Sequence, residues 1–146
     1  MRSRFVAFLL LTALAAEVQL LFSELIGFPL NFPLIVLLLA GLFGTLLEVL
    51  VLAGISMLIL GWQPAPGPEV IVFLLVPLLV PVRRFFPWHG WVSSGIIVFA
   101  GLIAFFSVSN PGFVSANIPA IAGSGLAGAV IGVVLFQTLS LAYEEP

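Results

Sequence analysis

Long apolar runs, separated by short polar stretches, dominate the chain and predict membrane-spanning helices. The first run extends from Phe5 to Phe22, and later runs cover Val92–Val108 and Ile118–Leu141. An α-helix rises about 1.5 Å per residue, so runs of about 20 residues match the hydrocarbon core of a bilayer, which is about 30 Å thick. Each of these three runs is therefore predicted to cross a membrane once.

The run from Phe32 to Trp62 is interrupted only by Glu48, and as a single helix it would measure about 45 Å. It is too long for one comfortable span and short for two. Gly41, Gly44 and Gly54 offer points at which the helix can break. The pattern favours two short helices that turn near Glu48, and the alternative is one long tilted helix that contains it.

Three prolines between Gln63 and Pro68 exclude a helix there, because proline lacks the amide donor and has a fixed backbone angle. The apolar stretch Val70–Val82 follows and itself contains Pro77 and Pro81. It is predicted to cross the membrane once, and a re-entrant segment is the alternative.

The basic residues constrain the topology, since arginine and lysine are enriched in cytoplasmic loops. All four arginines lie in two pairs, Arg2 with Arg4 and Arg83 with Arg84. Placing both pairs inside requires an even number of crossings between them. The resulting prediction is an all-α, polytopic bundle of six short transmembrane helices in the cytoplasmic (inner) membrane, with both termini cytoplasmic. Five spans, with the second arginine pair outside, are the alternative.

The N-terminal run also admits a second interpretation, as a secretory signal peptide. Basic residues precede an apolar centre, and Ala13-Leu14-Ala15 resembles a cleavage site. The apolar character resumes at Val18–Phe22, which favours an uncleaved first span. We expect residues 1–146 to form one transmembrane domain.

Composition supports the membrane prediction and excludes most soluble functions. The chain is 62% hydrophobic and 7% charged, with a mean hydropathy of +1.35, whereas soluble domains carry about a quarter charged residues. A net charge of −2 offers no basic face for nucleic acid. With no cysteine and one histidine, neither a metal centre nor a cofactor site is predicted. No catalytic set can be assembled, so we expect a protein that is not an enzyme.

One helix face of the last run is almost free of side-chain bulk. Ala120, Ser124, Gly128 and Gly132 recur every four residues. Small faces let helices approach closely in lipid, so this stripe is predicted to be a helix–helix seam, within the protein or with a partner. Residues 123–128 also match a dinucleotide fingerprint, but that motif requires a preceding strand.

A second group of small residues, Gly41 and Gly44, admits the same packing interpretation or a place beside a turn. Glu48 is a candidate functional group, because a carboxylate at such a turn caps amides or binds a partner. Arg83 and Arg84 are predicted to anchor the inner boundary and to contact anionic lipid headgroups.

Glu17 is the other candidate functional carboxylate. It falls inside the predicted first span, where an ionisable group is costly unless it is paired or hydrated. It lies seven residues before Glu24 and hence on roughly the same helix face. Alternatively, the span is shifted and both carboxylates lie near the outer interface.

The segment from Ala40 to Leu58 resembles the bacterial rod-shape-determining membrane protein family MreD. An apolar span leads through Gly41-Leu42-Phe43-Gly44-Thr45-Leu46-Leu47-Glu48 into Gly54-Ile55-Ser56, similar to the acidic turn and glycine-containing helix of that family. The family usually has aspartate where Glu48 stands, and often a Pro-Leu-Gly step that this chain lacks.

The resemblance implies a non-enzymatic membrane scaffold of the cell-wall elongation machinery, in which the chain would bind membrane lipid and a MreC-like protein. MreD-like proteins are similar in fold to the substrate-binding subunits of energy-coupling-factor vitamin transporters, which is the alternative function. Such a subunit would need several convergent polar groups for its ligand. The sequence offers few besides Glu17, Glu24, Asn110 and Asn117.

Overall fold

The computed structural model describes residues 2–25, 30–61, 67–75 and 90–143. Across these residues the chain is helical, without a strand. The described helices are α1 (Arg2–Leu25), α2 (Phe32–Phe43), α3 (Leu46–Ile59), α4 (Pro68–Leu75), α5 (Gly90–Ser109), α6 (Pro111–Ala116) and α7 (Ile118–Tyr143). The predicted all-α class is thereby confirmed for the described part of the chain.

Three of these helices contain segments long and apolar enough to cross a membrane: Arg4–Phe22, Gly90–Ser109 and Ile118–Ala142. They coincide with the three runs that the sequence predicted, and they indicate a membrane protein. Helices α2 and α3 are also apolar but have only 12 and 14 residues, or about 18 and 21 Å. The number of crossings therefore depends on how these shorter helices are arranged.

Helix α2 lies at the centre of the bundle. All of its residues from Pro33 to Gly41 are buried, and α1, α3, α5 and α7 pack around it. A helix that is apolar all round has no face suited to water, so burial on every side is the expected outcome. Its start is fixed by Asn31, whose side-chain oxygen accepts a hydrogen bond of 3.0 Å from the Leu34 amide.

Helices α1 and α2 run antiparallel. Near the end of α1, the Gln19 side chain accepts a hydrogen bond of 3.1 Å from the Phe32 amide. Near its beginning, the Phe8 ring lies 6.0 Å from the ring of Phe43, between centroids. The bundle thus has an Arg4 end, where α1 begins and α2 finishes, and an Asn31 end, where α2 begins.

Helices α5 and α7 are also antiparallel and form the most extensive helix pair among the described elements. At one end Gly90 approaches the Phe136 ring, which lies 5.0 Å from Phe43. Farther along, Gly128 faces Leu102 and Ile35. Helix α5 therefore begins at the Arg4 end, and α7 returns to that end after the connection through α6.

The connection between α5 and α7 differs from the simple turn that Asn110-Pro111-Gly112 indicated. It forms the short helix α6, because the Asn110 side chain accepts a 3.0 Å hydrogen bond from the Phe113 amide and Pro111 occupies the first turn. Proline is well suited to that position, since its missing amide hydrogen has no partner there in any case.

Helix α4 packs on α3 and α5, and its buried Phe73 ring lies 6.0 Å from that of Phe105. Phe105 belongs to the last turns of α5, so this part of α4 lies toward the Asn31 end. Pro77, Pro81 and the rest of the apolar stretch after α4 lie outside the described residues. A further crossing there stays a prediction.

Candidate functional site

The break between α2 and α3 is a polar site at the Arg4 end of the bundle. Helix α2 finishes at Phe43, Gly44 and Thr45 adopt extended backbone, and α3 begins at Leu46. The predicted division into two short helices near Glu48 is thus present.

Glu48 and Thr45 cap the first turn of α3 reciprocally. The Glu48 carboxylate accepts hydrogen bonds from the Thr45 amide at 2.7 Å and from the Thr45 hydroxyl at 3.0 Å. The Thr45 hydroxyl in turn accepts a longer bond of 3.4 Å from the Glu48 amide. This capping box satisfies amides that the helix leaves without partners and places a negative charge at its positive end. This geometry gives Glu48 a structural role, because its carboxylate caps the start of α3.

A small cavity of about 90 Å³ opens above this break. Its polar lining comes from Arg4, Thr45 and Glu48, and its apolar lining comes from α1, α2 and α3. The apolar residues are Phe5, Phe8, Ala40, Phe43 and Leu52, together with Gly44. A cation and a carboxylate therefore share one recess, which has the volume for a few water molecules rather than for a vitamin-sized ligand.

Removal of the cap should destabilise α3 measurably. We expect Thr45→Ala or Glu48→Ala to lower the free energy of unfolding by about 1 kcal/mol, because each leaves helix amides without their acceptor. Glu48→Gln should retain most of the stability, since glutamine also serves at this position of a capping box. Unfolding in mixed micelles measures the difference, with Leu47→Ala in the same turn, exposed by 71%, as the control. Equal effects of the alanine and glutamine variants would contradict a capping role.

Gly44 and Gly41 have different surroundings. A Cβ atom on Gly44 would lie 2.9 Å from the Ala40 carbonyl oxygen and 3.2 Å from the Glu48 carboxylate. Gly44 thus lies beside the turn, where the chain needs the space. Gly41 is buried within α2.

Glycines of α7 face side chains of α5. Ser124, Gly128 and Gly132 are buried, and Ala120 is partly exposed at the start of the helix. A Cβ atom on Gly132 would approach Val98 Cγ2 to 2.8 Å, and one on Gly125 would approach the Phe99 ring to 2.9 Å. At Gly128 and Gly132 the predicted stripe therefore packs inside the protein, where the absence of side chains lets α5 and α7 approach closely.

Ser124 also carries a hydroxyl oxygen that is fully buried and has no hydrogen-bond partner. Thr12, Ser93 and Ser109 share this property among the described residues. These hydroxyls are distributed over three helices and do not form one cluster with Arg4 and Glu48.

A larger recess of about 230 Å³ lies between α1, α2 and α7 and is lined only by apolar atoms. Its lining residues are Leu11, Leu14, Ala15, Val18, Phe32, Ile35, Val36, Ile131 and Leu135. Such a surface suits lipid chains or apolar side chains, because it offers no hydrogen bond to a polar ligand.

The remaining predicted residues are not brought to the site at the break. Glu17 is exposed on the surface of α1. Arg83 and Arg84 lie outside the described residues, as does the side chain of Glu24. Thr45 and Arg4 were missed as site residues, although the Thr-x-x-Glu spacing from Thr45 to Glu48 is a sequence signature of a capping box.

Comparisons of the chain with protein families, with curated proteins and with solved structures find no match.

Proposed function

We propose that this protein is a non-enzymatic membrane scaffold of the MreD type, which binds a MreC-like partner in the machinery of cell-wall elongation. The observation that carries the proposal is the capped break between α2 and α3. The segment that resembles the MreD family, with Glu48 in its acidic turn and Gly54 in the following helix, forms this break beside the buried central helix. A structural role for the acidic turn fits a scaffold.

The cavities favour the scaffold over a vitamin-binding transporter subunit. The larger recess is apolar throughout, and the smaller one has Thr45 and Glu48 already bonded to each other. Asn110 and Asn117, which the transporter alternative would use, instead bond to the backbone of α6 through Phe113. A vitamin pocket needs several polar groups that converge on one ligand.

The proposed topology has six crossings, with the Arg4 end in the cytoplasm. Helix α3 begins at that end and packs against α1, and we infer that it runs back toward the Asn31 end. Helix α5 begins again at the Arg4 end, so the proposed topology requires one more crossing between Gly61 and Gly90. Arg83 and Arg84 precede Gly90 closely in the sequence, which brings both arginine pairs to one side, as the excess of basic residues in cytoplasmic loops requires.

Gentle purification of the tagged protein from its native membrane, followed by mass spectrometry, tests the function. Recovery of a single-span MreC-like protein together with wall-synthesis enzymes would support the scaffold. Recovery of a pair of cytoplasmic ATPases with a membrane coupling subunit would overturn it and support the transporter alternative. The Gly132→Leu variant, in which the contact between α5 and α7 is disrupted, is the control. Proteins that co-purify with the natural chain but not with this variant require the folded bundle.

A further inference from the structure

We draw no further inference here: the strongest candidate, the apolar recess between α1, α2 and α7, offers no polar group that would select a ligand, and nothing in the described part of the structure shows what covers it.

Discussion

Gly132→Leu is expected to lower the free energy of unfolding by about 3 kcal/mol, the upper part of the range for overpacked cores. A Cβ atom at this position would lie 2.8 Å from Val98 Cγ2 and 3.2 Å from Val98 Cβ. Valine in a helix has one strongly preferred rotamer, and its Cβ moves only with the backbone. Helices α5 and α7 must therefore separate to accept the larger side chain, along the most extensive contact of the described bundle.

The control for this variant is the same substitution at Gly123, on the same helix. A Cβ atom there meets nothing within 4 Å. Gly123→Leu should be neutral or slightly stabilising, because leucine has a higher helix propensity than glycine. Unfolding of both variants in mixed micelles gives the comparison. Equal stability of the two variants would contradict the internal position of the seam.

Leu37→Ala is expected to lower the free energy of unfolding by about 2 kcal/mol, near the lower end of the range for buried leucines. Leu37 is completely buried in α2, so its truncation leaves a cavity in the centre of the bundle. Burying an apolar group inside a membrane protein stabilises the fold little, because the lipid that it leaves is equally apolar. The loss of packing contacts is therefore the main destabilising effect of this truncation.

Leu58→Ala is the matched control for the central helix, since Leu58 is 81% exposed on α3. Because the Leu58 side chain lies mostly outside the packed bundle, its truncation should have little effect on stability. A larger loss from Leu58→Ala than from Leu37→Ala would contradict the central placement of α2.

The long helices and the seam follow from the sequence for physical reasons. A span must satisfy its own backbone groups and match the bilayer thickness, so a run such as Val92–Val108 predicts both structure and environment. The four-residue spacing that places Gly128 and Gly132 on one face is a property of the α-helix itself. That spacing alone does not determine whether the stripe packs within the chain or against a partner.

The orientation of α1 and the depth of the short helices could not be predicted in this way. In a bilayer both the packed face and the lipid-facing face of a helix are apolar, so periodicity does not distinguish Leu14, which is exposed, from Ala15, which is buried. The break at Gly44 and Thr45 required a local signal, the spacing from Thr45 to Glu48, rather than a change in hydropathy. The function was harder to predict than the fold, because a fold does not determine which functional site it carries.

In the proposed topology the chain reverses at the α2–α3 break and again at α6, and these two turns lie on opposite sides of the membrane. Single cysteines at Leu47, beside the break, and at Gly112, in α6, test it by labelling with an impermeant reagent in sealed vesicles of known orientation. We expect Leu47→Cys to be labelled from the cytoplasmic side only and Gly112→Cys from the opposite side only. Labelling of both cysteines from the same side would contradict this topology.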